Sequence, residues 1–485
     1  MSDTLPLDSW VYPALDKLAG LGLIDSVLQG ARPYSRIEAA RQVREALAKS
    51  ESADPPPAVH ELLDRLERFF GDELGEGAAP GSYLKPRELQ FTYLYQDGDE
   101  SVYAGTDRVD ARQYALNYNN DGIDYGEHHN GQLIFQAEAK LGEHVLLSAR
   151  PLLEILEDGD STSFSLLHGK AALGLGPFEV SVGRQSLWWG QGRHGSLVLT
   201  NNAKPLDMVR ITNPTPVLIP WIFKYLGPFR FDVFWSELEE DRVVPEPYFA
   251  GLRLNVKPLP WFEVGASRTV IFGGDGRPDV GWDDFLTILG GKNLEGDEDN
   301  SNNIAALDAR LRLPFLWGAE IYGEYGGEDE AGSFLANRAW LAGLYLPRIE
   351  PSGRASMRLE YADLSEIDTN SPPWYRHGIY RSGYTYEGKI MGHHAGGGAK
   401  DIYGEVQLIL PQDLLMTMGI DYESRGYDQP VREKHYQGLL KLNWEFREHL
   451  ALNLGLGYGR IENADYEDGN DETHFSGSFG LMGTW

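Results

Sequence analysis

The chain contains no cysteine in 485 residues, so neither a disulfide frame nor a thiolate metal site is available to it. That fits passage through an oxidising compartment. Basic side chains are scarce. Lys and Arg number 43 against 73 Asp and Glu, a formal net charge of −30. Such a balance lacks the positive footprint of a nucleic-acid binder. It also repels anionic polymers unless cations intervene. No run of eighteen apolar residues occurs, so no transmembrane helix is expected. No signal peptide is visible, and Met1-Ser2-Asp3 reads as an artificial start on a mature chain.

Glycine and aromatic residues are abundant: 56 Gly, 12 Trp, 25 Tyr and 19 Phe. The length would ordinarily mean two or three domains, but one closed barrel can absorb most of it. Residues 1–80 read as helical. Ser9 can cap a first short helix that Gly20 and Gly22 end, and Ser35 with Glu38 has capping-box spacing. Ile37, Ala40, Val43 and Leu47 then share a face, as do Leu62, Leu66, Phe69 and Phe70. These helices must dock on something.

From about residue 86 the period changes from 3.6 to 2. Leu440, Leu442, Trp444 and Phe446 alternate with Lys441, Asn443, Glu445 and Arg447. After a turn at Glu448-His449, Leu450 to Tyr458 alternate with small or polar residues. The chain stops on such a strand, with Phe475, Phe479, Leu481 and Trp485 on one face. Strands this long suit a tilted bilayer crossing, and in lipid they must close into a barrel. Short turns are expected at 142–144, 176–177, 227–228, 258–260, 314–316, 347–353, 411–413 and 448–449. The intervening stretches are long and acidic. Eight short turns with both termini on their side imply nine long loops and about eighteen strands. The expected fold is an all-β transmembrane barrel of about 18 antiparallel strands over 81–485, with an α-helical bundle formed by 1–80 at one mouth.

Several stretches resemble the Wzi outer-membrane capsule-assembly family: "SWVYPALDKLAGLGLID" with "RPYSRIEAAR", "VGRQSLWWGQGRHGSLVLTNNAKP" with "PWIFKYLGPFRF", and "WDDFLTILGGKN" before "NNIAALDARLRLP". The resemblance implies an integral outer-membrane barrel of eighteen strands in a Gram-negative cell, with the helices at its periplasmic mouth. It implies a lectin-like role, holding capsular or exopolysaccharide at the cell surface, with outer-membrane lipid around the wall and polysaccharide export machinery as a possible partner. The helical part is also similar to S-layer-homology segments.

The stretch 183–205 is the principal site candidate. Trp188 and Trp189 are expected at the outer rim, one facing lipid and the other the lumen. Gly190, Gly192 and Gly195 let the chain fold back into the barrel, so that Arg193, His194, Asn201 and Asn202 line the interior. Aromatic faces and amides suit sugars, yet an inward loop that only plugs and braces, or one that constricts a pore, fits the same residues. Trp282, Asp283 and Asp284 sit in the longest loop. A hydrolase needs its two carboxylates across a sugar, which sequence neighbours seldom achieve. Trp374 and Tyr375 suit a surface aromatic platform or an interfacial belt. His128-His129 and His393-His394 lack helical metal-pair spacing and read as loop histidines, so no metal site is expected. The acidic runs at 295–300 and 467–472 lack calcium-loop spacing, leaving only loose Ca2+ or Mg2+ binding and no cofactor. "GGDGRPD" is no phosphate loop. No triad or nucleophile motif points to an enzyme. The alternative function is a diffusion porin.

Overall fold

The computed structural model describes residues 1–53, 55–75, 81–102, 112–156, 162–277, 301–328, 337–366 and 373–485. Among them, eighteen long antiparallel strands close into one barrel. They are β1 (Tyr83–Asp97), β2 (His128–Leu141), β3 (Val145–Leu156), β4 (Thr162–Leu175), β5 (Phe178–Gln185), β6 (Leu206–Thr212), β7 (Pro228–Glu237), β8 (Tyr248–Leu259), β9 (Phe262–Phe272), β10 (Ser301–Leu313), β11 (Ala319–Glu328), β12 (Arg338–Leu346), β13 (Ala355–Asp363), β14 (Lys400–Leu410), β15 (Leu414–Arg425), β16 (Glu433–Arg447), β17 (Leu450–Glu462) and β18 (Glu472–Thr484). The last strand pairs with the first, from Glu88↔Thr484 to Asp97↔Phe475, so no sheet edge remains.

The wall inverts the soluble-protein pattern. On β6 the alternation is strict: Val209 and Ile211 are exposed, while Met208, Arg210 and Thr212 are buried. Phe91, Phe135, Leu254, Ile321, Ile402 and Leu481 likewise face outwards. The inward side of β8–β13 is charged and paired: Arg253 meets Asp308 at 2.9 Å, and Arg310 meets Glu320 at 2.6 Å. The period of 2 thus sorts lipid-facing from lumen-facing side chains.

All eight expected turns lie at one end of the barrel, with both termini. One is longer than its sequence suggested. The connection from β6 to β7 runs over 213–227 and includes a 3-10 turn, Trp221–Leu226, in which Trp221, Ile222 and Tyr225 are more than 70% exposed. Gly227 closes it at φ 71°, where a Cβ would strike the Lys257 carbonyl. The exposed aromatics place this turn where an aromatic belt sits.

The helices are α1 (Val11–Gly20), α2 (Arg36–Ala53), α3 (Pro57–Phe69) and the single turn α4 (Gly71–Leu74). Trp10, rather than Ser9, is the residue that precedes α1, although the Ser9 hydroxyl accepts the Val11 N–H at 3.3 Å. Half of the capping box forms: the Glu38 N–H donates to Ser35 Oγ at 3.2 Å, and the Glu38 carboxylate instead holds Arg41 and Gln42. The α2 stripe is shifted from the expected one. Ile37 is exposed, and Ala39, Ala40, Val43 and Ala46 are buried. With Leu62, Leu66 and Phe70 they form a core at the short-turn mouth. Arg65 of α3 fastens it to the wall through Glu445 at 2.9 Å and the Asp413 carbonyl at 3.1 Å. The chain between α1 and α2 does not stay at the mouth. It climbs into the lumen, where Lys257 donates to the Val27 carbonyl and Glu263 accepts the Gln29 and Gly30 amides.

Candidate functional site

β5 ends at Gln185, and the chain then turns inwards and down the lumen. Trp188 and Trp189 are therefore not wall residues. Ala31 and Arg32 of the plug pair with them as a two-residue antiparallel ladder. Both indoles are buried, correcting the expectation of one in lipid. Trp188 Nε1 donates to the Gly192 carbonyl at 3.0 Å, and Trp189 packs on Phe234. Gly190 has φ 142°, and a Cβ there would collide with Ser196 and Glu324.

Two wall carboxylates hold the tip of this loop. Glu324 accepts the Gly192 N–H at 2.8 Å, the Leu197 N–H at 2.9 Å and the Ser196 hydroxyl at 3.0 Å. Glu360 accepts the Arg193 and His194 amides at 2.8 and 2.9 Å. The Arg193 side chain reaches Asp16 of α1, with Nε to Oδ2 at 2.8 Å. Arg32 and Arg358 donate to the same carboxylate at 2.8 and 3.3 Å. One aspartate thus joins the plug helix, the plug's inner segment, the inward loop and β13. Burial alone would raise the Asp16 pKa, but the Arg193 and Arg32 guanidiniums hold it well below the usual carboxylate range. Burial likewise pushes the neighbouring Lys17 ammonium down to about 8, while its Nζ donates to the Pro347 carbonyl at 2.7 Å.

The outward half of the loop is covered by other loops. The Asn201 carbonyl accepts the Asp121 N–H at 2.8 Å. Asn202 donates to the Ile390 carbonyl at 3.0 Å and accepts the Asn119 amide at 3.3 Å. Thr200 donates through its amide to Met391 and through its hydroxyl to Gly392. The segment 373–399 therefore lies folded on it. Trp374 and Tyr375, expected on the surface or in the belt, are fully buried. The Tyr375 hydroxyl donates to the Leu197 carbonyl at 2.7 Å and accepts the His393 N–H at 2.8 Å, and its ring stacks on Tyr384. His194, His393 and His394 converge there, beside Asp401 and Asp421. Trp282, Asp283 and the acidic run at 295–300 lie outside the described residues.

Of the sequence candidates, Trp188, Trp189, Arg193, His194, Asn201, Asn202, Trp374 and Tyr375 come together inside one buried cluster. Most of their polar groups bond other parts of the protein, the indole N–H groups of Trp189 and Trp374 being the exceptions among the described residues, so the bracing reading of the stretch describes their geometry. Sequence reasoning missed Asp16, Glu324, Glu360 and Arg358. The signal for Glu324 was present: Glu320, Glu324 and Glu328 in "EIYGEYGGE" recur every four residues, one face of a strand, and all three are buried. A cavity of about 560 Å³ remains between the plug and the wall of β15–β18 and β1, lined by polar residues such as Thr417, Lys441, Asn453 and Ser478 and by apolar ones such as Leu442 and Leu454.

A family model described as Capsule assembly protein Wzi matches residues 100–475. The chain belongs to the Wzi family. The barrel is accordingly integral to the outer membrane. The solved structure of Escherichia coli Wzi, described as an outer-membrane protein involved in group 1 capsule assembly and a carbohydrate-binding β-barrel, aligns with 100% of both chains at a TM-score of 0.75 and 20% identity. A Klebsiella pneumoniae protein described as an uncharacterized 55.8 kDa protein in the cps region is 28% identical over 304 residues. That match covers 60% of this chain and 59% of the relative, so the chain spans less than two thirds of that protein. Wzi-family membership accounts for the barrel. The buried cluster is the part of it on which the 373–399 segment rests.

Proposed function

We propose that this chain is a non-catalytic, lectin-like anchor that binds capsular or other extracellular polysaccharide at the outer face of the outer membrane. The observation that carries it is the inward packing of the 186–205 loop and the 373–399 segment within a Wzi-family barrel. Rigid loops give a polymer a fixed surface, and ordering them in advance removes a cost of binding. The E. coli relative is described as carbohydrate-binding, which supports the same ligand class here. Because Trp189, Arg193, His194, Asn201 and Asn202 are buried, their part is to hold that surface. Contacts with the sugar fall to outward groups, such as exposed Lys204, Glu387 and Asp124, with Trp282 and Asp283 as further candidates. Lys204 and Glu387 lie 3.7 Å apart, and Asp124 binds Lys389 at 2.7 Å, a mixed-charge rim suited to hydroxyls.

The −30 charge sets a condition on the ligand. A neutral or basic polymer binds without metal, whereas an acidic one needs Ca2+ or Mg2+ between it and the external carboxylates. Polymer delivered by an export machinery would be received at this face. The test is a glycan array on the purified chain, with planar-bilayer conductance measured alongside. Saturable binding of one polysaccharide class and little current are expected. Steady ohmic current of porin size with no glycan binding would establish the diffusion-channel alternative.

A further inference from the structure

We propose that His194, His394, Asp401 and Asp421 form a site for one divalent transition-metal ion of the Zn2+ type, which ties the two inward loops to the barrel wall. Each residue offers one ligand atom, and these atoms all lie within 4.8 Å of one another. The closer separations are those of a coordination shell. His194 Nε2 is 3.2 Å from Asp421 Oδ2 and 3.5 Å from Asp401 Oδ2, and His394 Nε2 is 3.6 Å from Asp401 Oδ2. Metal–ligand bonds of about 2.0–2.2 Å place neighbouring donors of a tetrahedron about 3.3 Å apart.

Asp401 points to a ligand independently. It is 2% exposed, and neither of its carboxylate oxygens accepts a hydrogen bond. Oδ1 of Asp421 is in the same condition. Buried carboxylates are ordinarily paired or metal-bound. Register places Asp401 opposite Glu423, and Glu423 already has Arg425 as its ion pair. The Asp401 and Asp421 carboxyl groups therefore face imidazoles, and ionised together they would match the charge of one divalent ion.

Both imidazoles are pre-positioned. Tyr403 stacks on His194 with centroids 3.8 Å apart and planes 4° from parallel, and Tyr118 stacks on His394 at 4.3 Å and 12°. Glu423 Oε1 stands 3.2 Å from His394 Nε2, a further carboxylate oxygen beside that nitrogen. The donor set selects the ion. Two imidazoles and two carboxylates suit Zn2+ and its neighbours, whereas Ca2+ and Mg2+ take oxygen donors. The four ligands come from the 186–205 loop, the 373–399 segment, β14 and β15, so the ion would clamp two inward segments to two adjacent strands of the wall. This inference does not depend on which polysaccharide binds.

The test uses the full chain in detergent, stripped with a chelator, in a His128→Gln background. That background removes the exposed group of Asp97, Glu127 and His128, which also has ligand spacing. Zn2+ titration should give one ion per chain. Co2+ should give a visible d–d band characteristic of four-coordinate nitrogen and oxygen ligation. A further H194Q/H394Q double substitution should weaken binding at least 100-fold and abolish the band, with barrel assembly checked by heat-modifiable migration. Absence of stoichiometric Zn2+ binding and of the Co2+ band in the H128Q chain overturns the proposal, and that result needs no variant of the site to fold. Binding unchanged by the double substitution, or Ca2+ binding as tightly as Zn2+, overturns it as well.

Discussion

Replacing Asp16 with Asn tests how the plug and the inward 186–205 loop are coupled. In the structure this carboxylate receives Arg32, Arg193 and Arg358, and all four residues are almost entirely out of solvent. Arg358 keeps Glu405 at 3.1 Å, and Arg193 keeps the carbonyls of Gln29, Gln191 and Gly192. Arg32 loses the carboxylate that its Nη2 contacts with both oxygens, retaining a position over the Tyr12 ring at 4.7 Å. Removing one partner of a buried ion pair costs about 3–5 kcal/mol, since the cation left behind is desolvated and unpaired. At about 1.4 kcal/mol per decade, local opening of the plug's inner segment and the loop tip should rise about 10²- to 10⁴-fold. The barrel itself should assemble normally, because the strand–strand ladders on either side of Arg358 do not involve Asp16. Hydrogen exchange on the detergent-solubilised chain should report lost protection at both 11–35 and 188–194. Adding Arg193→Gln should restore part of it by removing one unpaired cation. Protection at 11–35 and 188–194 equal to that of the unaltered chain would refute the claim that this aspartate joins plug and loop.

Other substitutions and pH probe different parts of the same arrangement. Trp374→Ala empties a fully buried site, which costs about 3–5 kcal/mol, so the 373–399 segment should become protease-sensitive while heat-modifiability persists. Trp485 is 54% exposed at the end of the sealing strand, and its N–H donates to the Arg87 carbonyl; Trp485→Gln should slow barrel assembly, measured as the fraction of heat-modifiable protein over time. Because the Asp16 pKa is depressed in the folded state, its contribution is present above the ordinary carboxylate pKa and is lost only as pH falls through the lower folded value. Plug protection should therefore be level from pH 7 to about 4 and decline only below that. Lys17, whose folded pKa is lowered to about 8, has the same sign of slope in a higher window: the undocked plug binds the extra proton, so docking should strengthen as pH rises from about 8 to about 10.5. Exchange rates corrected for their intrinsic pH dependence check both statements.

Much of the architecture was legible in the sequence because it is written in short-range periods. Alternation along "GLLKLNWEFREHLALNLGLGYGR" assigns every second side chain to lipid, and each short turn reverses the chain within a few residues. Counting those turns yields the strand number of the closed barrel without any distant contact. Glycines at 190, 192 and 195 also announced that the chain leaves the wall and folds inwards. What the loop meets was decided only in three dimensions. Arg193 and Asp16 are 177 residues apart, His194 and Asp421 are 227, and Tyr375 and Leu197 are 178. No local period encodes such pairings. Alternation also misassigned Trp188 and Trp189, because the strand stops at Gln185 and the rule lapses with it. A rule about neighbouring histidines could not reveal that His394 stands beside His194, since the two arrive on different loops. In a barrel the wall is specified by nearest-neighbour alternation and turns. The lumen is filled by segments whose burial and charge pairing depend on every other segment present there.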